Sequence, residues 1–220
     1  MHVTARVVLA LVIALGLGCS QGTGAGGTSD PSRSGTHAEQ AATVTRGQLR
    51  LAIRTRAYGE QVARLTDGPI IRPVAGDLVA VVMVDSPRTA RGFGAADAEA
   101  LGLPADTVYA VALENTLAEL TPLSGSVPPA CGSVMAIQNG YYYESTRLLA
   151  LSGRATTTTT TAPVLVALPA YDTVLIGQDC GAESRVALSA IAGGVGAASP
   201  VPLTSTLFRV TVDGITALTP

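Results

Sequence analysis

The sequence predicts an α+β fold, with several packed helices and a mixed, largely antiparallel sheet that ends in two C-terminal hairpins, all in a single domain. Three observations predict it. Residues 78–84 form a short β-branched run, residues 106–120 carry an apolar stripe near 3.6-residue spacing, and two pairs of apolar runs near the C-terminus are separated by turn residues. Because these strands pair with their neighbours in sequence and helices lie between the pairs, the pattern favours α+β over an alternating parallel architecture.

The first strand and the first long helix have the clearest patterns. The run LVAVVMV at 78–84 is apolar throughout and is followed by a turn sequence that starts at Asp85, as expected for a buried strand. In residues 106–120, Asp106 is a candidate N-cap and polar residues fall on the side opposite the apolar stripe. The stripe consists of Val108, Val111, Ala112, Leu113, Leu117 and Leu120.

A second helix is expected in the middle of the chain. It begins near Tyr142 or Glu144, continues through Leu149 and ends at Gly153. Six threonines follow at 156–161, and because β-branched polar residues favour extended chain, this run is interpreted mainly as a loop. In an exported protein the same run has a second interpretation as a glycan acceptor.

The first predicted hairpin joins VLVAL at 164–168 to TVLIG at 173–177 through a four-residue turn that contains a proline and an aspartate. A helix is expected after it at 183–192. The sequence GGVGA that follows is interpreted as a flexible connection, because glycine is unfavourable in the interior of a helix.

The second predicted hairpin has a more specific turn signal. The apolar runs at 207–212 and 215–218 flank the dipeptide Asp213-Gly214. This dipeptide suits a two-residue type I′ turn, in which both central residues need positive φ.

The cation content excludes several classes of function. All 14 residues in the Lys+Arg count are arginine, and the two histidines, His2 and His37, precede the predicted domain. The domain therefore offers no lysine for a Schiff base or a P-loop, and no histidine for a Ser-His-Asp triad or a multi-histidine metal site. With 14 cations against 16 acidic residues, clustered positive charge for a nucleic-acid surface is also missing. The sequence predicts no metal, no cofactor and no nucleic-acid partner.

The N-terminus has the layout of an export signal. Arg6 gives a weakly basic start, an uninterrupted apolar run follows at 7–17, and small residues lead into Cys19. Such a run spans about 16 Å as a helix, which is too short to cross a hydrocarbon core of about 30 Å. The sequence LGLGCS resembles the lipobox of bacterial lipoproteins, with Gly18 directly before the cysteine and Gly16 where leucine is commoner.

The lipobox resemblance implies a lipid anchor. In such signals residues equivalent to 1–18 are removed as the signal peptide, and Cys19 carries a diacylglycerol and begins the mature chain. Residues 19–45 are rich in Gly, Ser and Thr, which predicts a flexible tether to a globular domain at 46–220. The expected location is the bacterial cell envelope, on the outer side of the cytoplasmic membrane or on an outer membrane. The alternative is a plain secretory peptide that contains a cysteine.

Cys131 and Cys180 are the two thiols that remain in the predicted domain. An even number of cysteines in an exported protein favours one disulfide between them. The alternative is two unrelated buried thiols. Without a histidine partner they make a poor zinc site.

Five stretches of the domain occur in the order and spacing of a known family. They are GPIIRPV near Gly68, DTVYAVALENTLAEL, NGYYYESTRLL at 139–149, VLVALPAYDTVLIG and PLTSTLFRVTVDG. Over residues 69–214 they resemble the YtpQ-like proteins, a bacterial domain family of unknown function. The resemblance implies an architecture and no mechanism, because the family has no established activity. The export signal and the cysteines are departures from its members.

The densest group of polar side chains follows Asn139-Gly140. It contains Tyr142, Tyr143, Glu144 and Arg147, and Asp172 lies in a later turn. Tyrosines offer flat apolar faces with a hydrogen-bonding tip, and an arginine holds a carboxylate or phosphate in bidentate fashion, so these five residues are candidates for ligand or partner binding. The structural alternative is that the aromatic rings fill a tryptophan-free core while Glu144 pairs with Arg147.

These observations favour a membrane-anchored lipoprotein that binds or scaffolds an envelope protein or polymer without chemistry of its own. The alternative is a carboxylate-based hydrolase acting on an envelope polymer, which needs two facing carboxylates in a cleft. Its candidate carboxylates are Asp77, Asp85, Glu144, Asp172 and Asp179.

Overall fold

The structure is a computed structural model that describes residues 44–65, 67–87, 89–123, 130–154 and 163–218. The signal sequence, Cys19, most of the tether and the threonines at 156–161 lie outside the described residues, and so do the predictions made for them.

The described elements are short strands with helices inserted between groups of them. The strands are β1 (Leu49–Thr55), β2 (Ile71–Pro73), β3 (Leu78–Asp85), β4 (Ala90–Gly92), β5 (Val134–Gln138), β6 (Val164–Ala170), β7 (Thr173–Gln178), β8 (Leu207–Thr211) and β9 (Gly214–Leu218). The helices are α1 (Arg56–Val62), α2 (Ala95–Leu101), α3 (Ala105–Glu119), α4 (Arg147–Arg154) and α5 (Ala182–Ala198). Single 3-10 turns at Arg46–Gln48 and Glu144–Thr146 precede β1 and α4.

The strands form two antiparallel sheets. In the first sheet β3 lies between β1 and β2, and β4 pairs with the other end of β3. The second sheet has the order β5-β7-β6-β8-β9. The predicted α+β class with C-terminal hairpins is confirmed. The strands are divided between two sheets, whereas one sheet was expected. Strands β1, β2 and β4, which were not predicted, pair with β3 and form the first sheet around it, and β5, also not predicted, adds an edge to the sheet of the two hairpins.

The two sheets share one aliphatic core. The inner face of the first sheet contributes Leu51, Ile53 and Val82, that of the second contributes Val166, Ile176 and Phe208, and Val108 of α3 and Leu148 of α4 complete it. Helix α5 covers the opposite face of the second sheet through Leu188 and Ala192. On the outer face of the first sheet, Tyr143 and the short helix α1, through Tyr58 and Gly59, pack on a separate apolar cluster that includes Val79 and Val81.

Side chains satisfy the edge of β1 that faces away from β3. The Leu51 amide donates to Thr116 Oγ1 at 2.8 Å, and Thr146 Oγ1 donates to the Leu51 carbonyl at 2.7 Å. Asn115 Nδ2 reaches the Leu49 carbonyl, and Arg54 Nη1 reaches the Ile53 carbonyl. An open strand edge is a template for pairing with other chains, so these bonds close it.

We predict that Thr116→Val lowers the free energy of unfolding by about 1–3 kcal/mol, because it leaves the buried Leu51 amide without an acceptor while keeping side-chain shape. Thr116 is fully buried and its hydroxyl also donates to the Ala112 carbonyl. Urea unfolding measures the effect. Thr116→Ser keeps the hydroxyl and serves as the control, and equal losses in both variants would contradict the hydrogen-bond explanation.

Most predicted elements are found within a residue or two. The strand at 78–84 is β3, the helix at 106–120 is α3, and both hairpins form as β6–β7 and β8–β9. Helix α3 begins one residue earlier than expected, with Pro104 at the N-cap and Asp106 in the first turn.

Three other local predictions were wrong. The first hairpin has a two-residue turn, Tyr171 and Asp172, and not the predicted four residues, because Pro169 and Ala170 continue β6. In the last hairpin Thr211 pairs with Gly214, so the turn residues are Val212 and Asp213; no described non-glycine residue has positive φ, which excludes type I′. The φ of 130° at Gly214 instead fits a turn followed by a glycine in the strand.

Helix α5 also continues through the GGVGA sequence to Ala198. A side chain at Gly196 would lie 3.5 Å from the Pro169 carbonyl oxygen, so the helix packs closely on β6. Tertiary packing thus overrides the weak helix propensity of glycine.

Candidate functional site

The alternation of β1 presents two arginines to the outer face of the first sheet. Leu51 and Ile53 point into the shared core, so Arg50, Ala52 and Arg54 point the other way. On the adjacent strand Arg54 lies opposite Val79. The outer face of the first sheet is therefore apolar, and along β1 it has the guanidinium of Arg50 near one end and that of Arg54 near the other.

A tyrosine cluster covers this face. It consists of Tyr58 on α1, Tyr141, Tyr142 and Tyr143 after β5, and Tyr171 in the β6–β7 turn, which are five of the six tyrosines of the chain. Asn139 orients the start of the three consecutive tyrosines, because its Oδ1 accepts from the Tyr141 amide at 3.0 Å. The Ser145 amide donates to the Tyr171 carbonyl at 3.2 Å, which fixes the turn of the second sheet against the loop.

Arg54 lies beneath this cluster. The residue is 1% exposed, and the centre of its guanidinium is 4.4 Å from the ring centroids of both Tyr142 and Tyr171 and 5.9 Å from that of Tyr58. Nη1 donates to the Ile53 carbonyl at 2.8 Å, but the buried Nη2 has no hydrogen-bond partner. Arg54 forms no ion pair among the described residues. The aromatic faces thus provide its main electrostatic compensation.

Tyr142 is the member of the cluster that faces solvent most directly. It is 44% exposed, whereas Tyr143 is 2% exposed. The Tyr142 ring lies edge-on to Tyr143 with centroids 5.6 Å apart and is tilted against Tyr171 at 5.4 Å. Tyr142 therefore separates Arg54 from the solvent.

A buried ion pair lies next to the cluster. Glu144 Oε1 accepts a short hydrogen bond from Arg147 Nε, and Glu144 Oε2 accepts one from Asn139 Nδ2 at 2.8 Å. Glu144 is fully buried and Arg147 is 4% exposed. The 3-10 turn that carries Glu144 contacts β1 of the first sheet and β7 of the second. The pair predicted as the structural alternative is thus present, between the two sheets.

A third set of polar contacts lies at the Arg50 end. Arg50 Nη2 and the Tyr141 hydroxyl both donate to the Glu119 carboxylate of α3. Burial acts to raise the pKa of Glu119, but the hydrogen bonds from Tyr141 and Arg50 outweigh it and hold the pKa below its usual value. Burial and the Glu119 charge raise the pKa of Tyr141, and burial and the charge of Asp85 raise that of Tyr143. The Tyr141 hydroxyl therefore keeps its proton and donates to Glu119, whereas the buried Tyr143 hydroxyl has no hydrogen-bond partner.

The structure brings together only some of the predicted ligand-binding residues. Tyr142 and Tyr143 are in contact, and Glu144 with Arg147 lies directly behind them. Asp172 is half-buried and accepts from the Thr173 hydroxyl at 3.0 Å, and no described contact joins it to Arg54. Arg147, the predicted anion-binding group, has an internal carboxylate partner instead.

Sequence reasoning missed Arg54, Tyr58 and Tyr171. The available signal was the strand LRLAIRT, in which Arg50 and Arg54 share one face of an otherwise apolar run. Their aromatic partners come from three distant segments, so contact between them was not visible in sequence.

The carboxylates proposed for hydrolysis have separate partners. Asp179 receives bonds from Arg185 at 2.9 Å and from Arg209 at 2.7 Å, and Asp77 accepts from Thr204. Burial acts to raise the pKa of Asp179, yet the hydrogen bonds from the two arginines outweigh it and hold this pKa below its usual value. Glu144 accepts from Arg147 and Asp172 accepts from the Thr173 hydroxyl, and none of these contacts joins two acids.

Cys131 and Cys180 form a disulfide with their Cα atoms 6.1 Å apart. Cys131 precedes β5 and Cys180 follows β7, so the bond joins the chain at one end of two paired strands. Asp179, which accepts from Arg185 and Arg209, directly precedes Cys180 in sequence.

A groove of about 570 Å³ lies elsewhere, between α5 and the strands β8 and β9. Small and apolar side chains such as Val186, Ser189 and Leu207 line most of it, and its charged residue, Arg185, is paired with Asp179. Ligand sites usually add convergent polar groups to an apolar lining, and the tyrosine cluster meets that description better.

Comparison with known proteins leaves the family open. No family model matches the sequence, and neither a curated protein nor a solved structure matches it. The similarity to YtpQ-like proteins therefore stays a prediction. Among the helices that the structure describes, none is both long and apolar enough to cross a membrane.

Proposed function

We propose that this protein is an exported, lipid-anchored binding module of the bacterial envelope and that the tyrosine cluster is its recognition surface. One observation carries the proposal: an exposed tyrosine, Tyr142, lies over a buried arginine, Arg54, that has no ionic partner among the described residues. Tyrosine and arginine are among the residue types enriched where proteins bind their partners.

Two further features support the export and anchorage part of this proposal. The lipobox-like sequence ends at Cys19 and precedes a Gly/Ser/Thr-rich segment long enough to act as a tether. The Cys131–Cys180 pair fits an oxidising compartment, since disulfides persist outside the reducing cytosol.

Site-specific photocrosslinking of the full chain in living cells tests the proposal. A photoreactive phenylalanine replaces Tyr142 in one strain and Val212, which is 64% exposed on the last hairpin, in a matched control. We expect discrete adducts to an envelope component from position 142 and none from position 212. Cys19→Ala should abolish labelling by a palmitate analogue, move the protein out of the membrane fraction and weaken the adducts.

Three results would contradict the proposal. Identical adducts from both positions would remove the tyrosine cluster as the recognition surface. The absence of adducts from position 142 in a correctly localised protein would do the same. Equal palmitate labelling of the wild type and Cys19→Ala would remove the anchor.

A further inference from the structure

We infer that Arg54 is an anion-binding group that takes a phosphate or carboxylate of the ligand when the Tyr142 ring swings aside. This inference rests on the proposed function, because it assigns a chemical class to the ligand of the same surface.

Arg54 differs from six other arginines of the described residues in having no ionic partner there. Each of these six forms an ion pair with an Asp or a Glu. They are Arg50, Arg72, Arg91, Arg147, Arg185 and Arg209. Arg54 is more deeply buried than Arg147, yet it has no carboxylate partner there. Burial of an unpaired charge is unfavourable, so an arginine retained in this state points to a partner that arrives from outside.

Neighbouring acids on this face do not supply that partner. Glu119 is engaged by Arg50 and Tyr141, and Glu144 by Arg147 and Asn139. Asp85 lies at the opposite end of β3 from Val79, the residue that faces Arg54.

The geometry around Arg54 leaves one of its two terminal nitrogens, Nη2, without an acceptor. Tyr142 and Tyr171 contact the guanidinium at equal distances of 4.4 Å, and aromatic rings attract a cation through their faces. They do not replace acceptors for the N–H groups, and of the two terminal nitrogens only Nη1 has one. A guanidinium presents its donors as a planar fork that matches the two oxygens of a carboxylate or phosphate.

Access to this edge depends on Tyr142. Its side chain is 44% exposed, and the loop that carries it follows Gly140, which has a φ of 71°. Tyr58 and Tyr171 are half-buried. Rotation of Tyr142 about its own side-chain bonds would therefore open the guanidinium to solvent while the other two rings remain as walls.

Arginine-selective ¹⁵N labelling of the full-length protein in detergent micelles provides the test, because every cation of the domain is an arginine. The Nε–Hε resonance of Arg54, assigned by its loss in Arg54→Met, is followed while inorganic phosphate, acetate or chloride is added at constant ionic strength. We expect a saturable shift with phosphate or acetate and none with chloride. A saturable shift with phosphate alone would identify the ligand as one that carries a phosphate. A saturable shift with both phosphate and acetate would extend the ligand class to carboxylates.

Tyr142→Ala gives a second, independent readout. Because a closed ring reduces apparent affinity by the fraction of open molecules, its removal should tighten phosphate binding about tenfold. Tyr109→Ala is the matched control, since Tyr109 stacks on Arg72 at 4.2 Å but Arg72 already pairs with Asp106. The Arg72 resonance should show no saturable shift in either protein.

The inference is overturned if Arg54 shows no saturable shift in both the wild type and Tyr142→Ala, or if chloride produces the same shift as phosphate. If Arg54→Met does not fold, Arg54→Lys, which keeps the charge but lacks the Nε–Hε group, provides the assignment for both titrations. Crosslinking from position 142 without anion binding would leave the proposed function standing and remove this inference. Anion binding without crosslinking would do the reverse.

Discussion

Glu144→Gln is expected to lower the free energy of unfolding by about 3–5 kcal/mol, because breaking a buried ion pair leaves its partner as an uncompensated charge. Glu144 is fully buried, and its carboxylate is bonded by both Arg147 and Asn139. Since domains of this size have a total stability of about 5–15 kcal/mol, the variant should be close to unfolding at growth temperature. Urea unfolding followed by circular dichroism measures the change.

Two controls separate the buried charge from general damage. Glu144→Leu with Arg147→Met removes both charges and should recover most of the stability, because buried ion pairs are often no better than well-packed apolar residues. Asp106→Asn breaks an exposed pair with Arg72 and should cost less than about 1 kcal/mol. If the double variant is as unstable as Glu144→Gln, the ion-pair explanation fails.

Replacing both disulfide cysteines by serine, Cys131→Ser with Cys180→Ser, is expected to lower the free energy of unfolding by up to about 4 kcal/mol. The bond spans a sequence separation of 49 residues, and closure of a loop of that length removes conformational entropy from the unfolded chain. The loss should appear as a lower urea midpoint. Reduction of the wild type with dithiothreitol should reproduce it.

A matched variant shows whether the covalent bond itself is responsible. Asp179→Asn removes the charge held by Arg185 and Arg209 beside Cys180 but keeps the disulfide. Reduction should therefore still lower its midpoint by the same amount. An unchanged midpoint on reduction of the wild type would show that the bond contributes nothing to stability.

The fold was predictable where a local pattern coincided with tertiary burial. The run at 78–84 is apolar at every position, and residues 207–218 contain two apolar runs around a turn, so β3 and the last hairpin follow from sequence alone. Strand β1 was missed because Arg50 and Arg54 interrupt its apolar pattern, and their burial depends on tyrosines from other segments. Helix α5 exceeded its prediction because close packing on β6 permits glycines that an isolated helix disfavours.

The candidate site was predictable only in part. The NGYYYEST sequence stood out because it concentrates aromatic and charged residues, and Glu144 with Arg147 has the spacing of neighbours within one turn. That an arginine of β1 lies beneath Tyr142 depends on the pairing of β1 with β3 and on how the loop crosses that sheet. Contacts between distant segments leave no periodic pattern in the sequence. The exposed Tyr142 was therefore predictable, whereas the buried Arg54 was not.

The placement of the tyrosines also determines which part of this protein its intrinsic fluorescence monitors. The chain has no tryptophan, so its intrinsic fluorescence comes from six tyrosines. Five of them belong to the tyrosine cluster, and three of these five contact Arg54. In most proteins this signal averages over scattered residues. Here the emission spectrum and its quenching by iodide or acrylamide monitor one small region, without any label, in every variant that keeps the cluster.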